Sequence, residues 1–234
     1  MGRADVAQDR MARAMATTNH DNPHDLVHSC YQAARLNFFL RQYEQAKALA
    51  ARALALCVKH QFPNNEAMCR CALGQMEARL GRATYGVPLI RQGIAGMLAA
   101  GQRISVGLNS ACLAEIEQND NLPAALETVE RALTEYSEPN FRPEMLRIRA
   151  ELHLKQGHPA EAENDLRESI AAARTMSARA WELRTTTSLA RLLSNQGKRD
   201  EARTTLSDIY NWFTEGFDTA DLKDAKALLD ELGT

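Results

Sequence analysis

The sequence has little of several features that would mark a specialised class of protein. Glycine (12) and proline (7) are few among 234 residues, aromatics make up 6%, and 28 basic residues nearly balance 30 acidic ones for a net charge of −2. An apolar share of 45% with so small a net charge excludes a disordered chain, which would be less apolar and more charged. The balanced charge gives no electrostatic footprint for nucleic acid, so we expect no DNA or RNA partner.

Cysteine is also scarce, and long apolar runs are missing. The five cysteines are an odd number in a chain too long for a disulfide scaffold, and each lies in an apolar helical pattern, so we predict buried thiols in a reducing compartment. The N-terminus lacks the unbroken apolar stretch of a signal peptide. The apolar run from Ala48 contains an arginine and is too short to cross a bilayer. We therefore expect a cytoplasmic protein that does not contact a membrane.

Alanine, leucine, arginine, glutamate and glutamine fill the chain, and they favour helix because they lose little rotamer freedom there. The patterns predict twelve helices, the first over residues 3–18, the sixth over 103–118, the eleventh over 199–213 and the last over 219–232. Small residues mark a repeat with spacings of 37 to 40 residues, at Ala46, Gly86, Ala125, Ala162 and Ala202. This period fits two antiparallel helices and two short turns, and small residues let the two helices cross closely.

The repeat predicts an all-α fold, a right-handed α-solenoid of antiparallel helix pairs. No single pair can bury its own apolar face, so neighbouring pairs must stack. We predict a partial repeat of one helix over residues 1–21, about five helix pairs over 22–217, and a capping helix over 218–234. The aromatic cluster Tyr210, Trp212, Phe213 and Phe217 is expected to hold the capping helix onto the last pair. A ligand pocket is the alternative for these rings.

The helix pairs, with glycine, then an aromatic residue or proline, then alanine, resemble tetratricopeptide (TPR) repeats. The segments FRPEMLRIRAELHLKQGHPAEAENDLRESIAAAR from Phe141 and RAWELRTTTSLARLLSNQGKRDEARTTL from Arg179 are similar to the C-terminal repeat array of bacterial multidomain regulators. Those regulators carry an adenylate/guanylate cyclase or winged-helix domain and a STAND-type ATPase before the array. The resemblance implies a protein-interaction or regulatory module in bacterial signal transduction.

The motifs that would carry catalysis in such regulators are missing from this sequence. There is no GxxxxGK[ST] phosphate-binding loop, and nothing resembles a cyclase domain or a winged helix. His20, His24 and His28 are spaced by four, but they lack further ligands, and Cys69 and Cys71 point to different sides of a helix. We therefore expect no enzyme activity, no cofactor and no metal. A truncated remnant of a larger regulator remains an alternative to a free-standing module.

The resemblance also implies where a partner binds. In TPR repeats the first helix of each pair lines the concave face, and partner segments lie along it. Transferred to this sequence, the predicted groove consists of Tyr31, Arg35, Phe38, Phe39, Arg79, Arg147, Glu151, Lys155, Arg184, Arg191 and Asn195. The same face includes His28, Cys71, Gln75, Glu115, Gln118, Glu144 and Thr187.

Basic residues outnumber acidic ones in this predicted groove. Since a guanidinium binds a carboxylate in a fork, the groove favours an acidic protein or peptide segment or a C-terminal carboxylate. The alternative is that these positions are solvated helix faces without a partner. A second alternative is self-association into a homo-oligomer, because the helix predicted over residues 3–18 lacks a partner helix and exposes an apolar face.

Overall fold

In the computed structural model, residues 2–136 and 138–233 are described, and within them the chain forms twelve α-helices and no strand. The fold is therefore all-α, as predicted. The helices are α1 (Ala4–Ala16), α2 (Pro23–Phe39), α3 (Tyr43–His60), α4 (Pro63–Arg79), α5 (Ala83–Ala99), α6 (Val106–Glu117), α7 (Leu122–Glu135), α8 (Arg142–Gln156), α9 (Pro159–Thr175), α10 (Arg179–Asn195), α11 (Arg199–Tyr210) and α12 (Ala220–Gly233).

Local chemistry explains where several helices begin and end. The side-chain oxygen of Asn22 accepts a hydrogen bond from the backbone N–H of His24 (3.0 Å), and Pro23 occupies the first turn of α2. Gly157 ends α8 in a left-handed conformation (φ 80°). The largest departure at a helix start is in α6, which begins at Val106 rather than at residue 103. Ser105 has φ 67°, so the helix cannot extend through it.

The chain divides into two compact units. The N-terminal unit is Asp5–Ile116, and the C-terminal unit is Glu117–Thr234 together with Met1–Ala4. The sequence predicted a different division, with a partial repeat ending at residue 21 and the helix pairs ending at residue 217. Those two boundaries stay a prediction. None of the helices in the described part is both long and apolar enough to cross a bilayer.

Small residues bring the helices of the N-terminal unit into close contact. Ala46, Ala50 and Ala53 of α3 are fully buried against α2 and α4. The α4 and α5 backbones touch at two glycines, since a Cβ built on Gly74 would lie 2.6 Å from the carbonyl oxygen of Gly86. The glycine that marks this repeat is therefore required by a helix crossing. All five cysteines are buried, as predicted.

The C-terminal unit has a leucine-rich core that continues into α12. Ala162 and Ala202, which mark two of the repeats, are fully buried there. Phe213 belongs to the same core as Leu222 and Leu228 of α12, so at this ring the predicted packing of the capping helix is confirmed. Trp212 and Phe217 are 41% and 49% exposed. Other residues that α12 contributes to this core are Ala225 and Leu232.

Candidate partner-binding site

In the N-terminal unit, side chains of successive first helices contact one another directly. Gln75 of α4 donates a hydrogen bond to the Oδ1 atom of Asn109 on α6 (2.6 Å), and Arg79 of α4 forms an ion pair with Glu115 of α6. From Asn109 near its start to Glu115 near its end, α6 therefore lies beside α4 on the face where the sequence placed the groove.

A cavity of about 30 Å³, open to solvent on one side, lies on this face between α2, α4 and the start of α6. Four of the predicted groove residues line it: Tyr31, Arg35, Phe38 and Phe39. The other lining residues are Ala72, Gln75, Met76, Ser105, Leu108 and Asn109. We call this site the α2–α4–α6 cavity.

The arginine of the cavity is held between two aromatic rings. The guanidinium carbon of Arg35 lies 5.8 Å from the ring centroid of Tyr31 and 5.8 Å from that of Phe39. Both distances fit cation–π contacts. Burial raises the pKa of Tyr31 to about 12, with Arg35 acting in the opposite direction, so the phenol is neutral at physiological pH. The wall is thus a neutral aromatic surface carrying one positive charge.

The loop before α6 forms one edge of the cavity. Ser105 is buried and has φ 67°, a conformation that costs energy for a residue with a side chain. The neighbouring Ile104 is 72% exposed. The loop therefore presents a large apolar side chain to solvent beside a cavity that is itself largely apolar.

In the C-terminal unit, the first helices are joined by a network of charged side chains. Arg147 of α8 is only 8% exposed, and it contacts the carboxylates of Glu144 (2.9 Å) and Glu151 on its own helix. Arg184 of α10 contacts Glu144 (3.3 Å) and Asp221 of α12 (2.7 Å). Burial disfavours the charged form of Arg184, but the nearby carboxylates outweigh it and hold its pKa above the usual range.

The remaining predicted groove residues of this unit lie outside the network. Lys155 is exposed and donates a hydrogen bond to the Oδ1 atom of Asn119 (3.3 Å). Arg191 and Asn195 are exposed and form no ion pair or side-chain hydrogen bond within the described part of the chain. The structure thus groups Arg147, Glu151 and Arg184, and leaves these three residues apart.

The structure changes the charge balance inferred from sequence. Every arginine of the network contacts carboxylates, and Asp221, which the sequence register did not place on this face, offsets the excess of basic residues. Ser105 and Asn109 were also missed by sequence reasoning. Asn109 could have been recognised as a polar residue inside the apolar segment VGLNSACLA. An acidic partner stays a prediction, and it now depends on Arg35 rather than on the network.

Two of the three histidines singled out by their spacing line a separate cleft. His24, Asp25 and His28 line a polar cleft of about 500 Å³ between the end of α1 and the start of α2. Within the described residues, no group of three or more histidine, cysteine or acidic side chains is arranged to hold a metal ion. The cleft therefore carries no argument for metal chemistry.

No known protein-family model matches the chain, and no curated protein matches it. Among solved structures it is similar to the TPR-like repeats of a Podosopora anserina putative kinesin light chain, with 19% identity and a TM-score of 0.54, covering 90% of this chain and 97% of that one. It is also similar to the apo quorum sensor NprR from B. thuringiensis (13%, TM-score 0.67) and to the Rap conjugation gene regulator of plasmid pLS20 in complex with the Phr* peptide (13%, TM-score 0.65).

The match to NprR covers 95% of this chain but only 63% of NprR. The match to the Rap regulator covers 98% of this chain and 69% of that protein. At these identities the likeness shows the fold alone. The chain has a TPR-like helical-repeat fold of the α-solenoid class, as predicted. The finer resemblance to cyclase and STAND-ATPase regulators stays a prediction.

Proposed function

We propose that the chain is a non-catalytic protein-interaction module that binds an extended segment of a partner protein on the face of its first helices. The observation that carries this proposal is the α2–α4–α6 cavity, where four predicted groove residues meet the paired amides of Gln75 and Asn109. An exposed face with aromatic rings, one cation and hydrogen-bonding amides suits a peptide, which offers apolar side chains and backbone polar groups together.

The structural neighbours support a regulatory role for this binding. One of them is described as a quorum sensor and another as a gene regulator in complex with a peptide. Together with the sequence resemblance to bacterial regulators, these descriptions support our proposal that the module acts in bacterial signal transduction. Its role there is to present a binding face, with chemistry left to other domains or proteins.

Site-specific photo-crosslinking tests this proposal. A benzoylphenylalanine at position 39, on the rim of the cavity, should crosslink a specific protein in a lysate of the source cells, to be identified by mass spectrometry and rebound in purified form. The matched control carries the same group at Tyr85, an exposed aromatic residue on α5. Crosslinks of equal yield at both positions, or at neither, contradict binding on the first-helix face.

Self-association is a second candidate, and it has its own supporting observation. No residue of α1 is buried, although the helix carries Val6, Met11 and Met15. A half-covered apolar stripe favours pairing with a second copy. If α1 mediates this pairing, the mass from light scattering should rise with concentration for the wild type. The mass of the Met11→Asp variant should stay that of a monomer at every concentration. A wild-type mass that stays monomeric over the same concentrations contradicts self-association.

A further inference from the structure

We propose that the α2–α4–α6 cavity is a specificity subsite, which takes one short aliphatic side chain of the partner segment when that residue stands next to a carboxylate. This inference rests on the proposed function and names the chemistry of its partner. Three independent properties of the cavity support it: its size and lining, the unused hydrogen-bonding capacity of Gln75, and the charge of Arg35.

Size and lining select the side chain. A cavity of about 30 Å³ has the volume of roughly one water molecule, so it accepts one methyl group, either that of an alanine or one branch of a valine, but not an aromatic ring. Its walls include the aromatic rings of Phe38 and Phe39 and the side chains of Met76 and Leu108. An aliphatic group therefore gains contact with carbon atoms there, whereas a charged group would lose its hydration.

The amide of Gln75 provides a hydrogen-bonding group for the backbone of the segment. The residue is only 6% exposed and lines the cavity, and its one hydrogen bond within the described part of the chain goes to Asn109. An amide side chain has two N–H donors and an acceptor oxygen, so most of this capacity is unused. A peptide unit offers the complementary N–H and C=O, and a buried polar group gains most from a partner.

The positive charge of Arg35 favours an acidic residue in the partner segment, next to the inserted aliphatic side chain. Arg35 is the one charged side chain among the residues that line the cavity. Its guanidinium carbon lies 5.8 Å from the ring centroids of both Tyr31 and Phe39, at the wall of the cavity. A guanidinium forms forked, charge-assisted hydrogen bonds with carboxylates. An aspartate or glutamate next to the inserted aliphatic residue therefore complements the site.

A displayed library of random seven-residue peptides, selected on the full-length chain, tests the subsite. Synthetic copies of the enriched peptides are then titrated calorimetrically against the wild type and three variants. Ala72→Leu fills the cavity, Arg35→Met removes its charge while keeping the stem, and Arg52→Met makes the same change at an exposed position on α3. Circular dichroism and the melting temperature show that each variant is folded.

The expected result is enrichment of peptides in which alanine or valine precedes or follows an acidic residue. Affinity should fall at least about tenfold with Arg35→Met and with Ala72→Leu, and should stay unchanged with Arg52→Met. Replacing the valine of an enriched peptide by tryptophan should weaken binding similarly. If Ala72→Leu does not fold, the tryptophan-substituted peptide and the Arg35→Met variant still test the subsite.

Two results overturn the subsite and are distinguishable from each other. Enriched peptides with aromatic or basic residues, or peptides that bind the Arg35 and Ala72 variants as tightly as the wild type, contradict the subsite but leave peptide binding elsewhere on the chain intact. If the chain retains no peptide at all, both the subsite and peptide binding as the proposed function fail.

Discussion

At the scale of single residues, glycine explains how closely α4 and α5 cross. Gly86 of α5 lies against the backbone of Gly74 on α4, and a Cβ at position 86 would overlap backbone atoms that cannot rotate away. We expect Gly86→Ala to lower the free energy of unfolding by about 1–3 kcal/mol, despite the better helix propensity of alanine. Gly96→Ala on the same helix is the control with a smaller expected loss, because a Cβ there would approach the Cβ of Ala67 at 3.0 Å but would come no closer than 3.9 Å to the backbone of that residue. Equal losses from the two variants in urea unfolding would contradict the crossing argument.

The buried thiols give a prediction about alkaline pH. Burial raises the pKa of Cys71 to about 12 from an ordinary value of 9.0, so the folded state holds its proton where the unfolded state has lost it. The stability that this thiol contributes is present below pH 9 and is lost as the pH rises towards 12. Urea unfolding at pH 8 and pH 10.5 should therefore show a smaller alkaline loss for Cys71→Ala than for the wild type. An identical loss of unfolding free energy between pH 8 and pH 10.5 in both proteins would contradict a contribution from the Cys71 thiol.

The same burial protects the thiols from chemical reagents. The thiolate is the reactive form, and all five cysteines are buried, with the pKa of Cys69 also raised by burial and by neighbouring thiols. We expect a thiol reagent such as DTNB at pH 8 to label none of them within minutes in the native protein, and all five in concentrated urea. Rapid labelling of any of them without denaturant would show that the core of the N-terminal unit opens easily.

At the scale of helices, charged contacts join α8, α10 and α12 in the C-terminal unit. Arg147→Met would remove the 2.9 Å ion pair of the buried Glu144 carboxylate and leave its longer contact with Arg184 (3.3 Å), so we expect a loss of about 3 kcal/mol in unfolding free energy. The control is Arg142→Met, because Arg142 and Glu168 are an exposed pair, for which about 0–1 kcal/mol is typical. Similar losses in chemical denaturation would show that the network contributes no more than a surface pair.

The ends of several helices were predictable from sequence because capping residues act locally. Pro23 and Gly157 show this, since their roles follow from backbone geometry within a turn. The small buried residues were predictable from their repeat spacing instead. The start of α6 was not predictable in this way, because Ser105 adopts φ 67° without being glycine. The sequence assigned only later positions of this segment to the groove, among them Glu115, and Asn109 near the start of α6 was left out.

At the scale of the whole molecule, the sequence predicted the repeat but not the pairing of charges across it. Asp221 lies 37 residues from Arg184, and Asn109 lies 34 residues from Gln75, so these contacts depend on how successive repeats stack. A pattern of arginines on one face indicated a basic groove. Stacking converts part of that face into a compensated network and leaves Arg35 as the cation of the α2–α4–α6 cavity.

Because repeats contact chiefly their neighbours, the stability of a repeat chain is close to a sum of local contributions. Hydrogen exchange should therefore locate each destabilisation near its cause. In Gly86→Ala we expect faster exchange in peptides from α4 and α5, and in Arg147→Met faster exchange in peptides from α8 and α10. Mass spectrometry of the two variants beside the wild type measures both regions in one experiment. A uniform increase in exchange rate over all helices in both variants would contradict local unfolding. It would mean that the chain unfolds as one cooperative unit, because the repeats are coupled more strongly than each is stable alone.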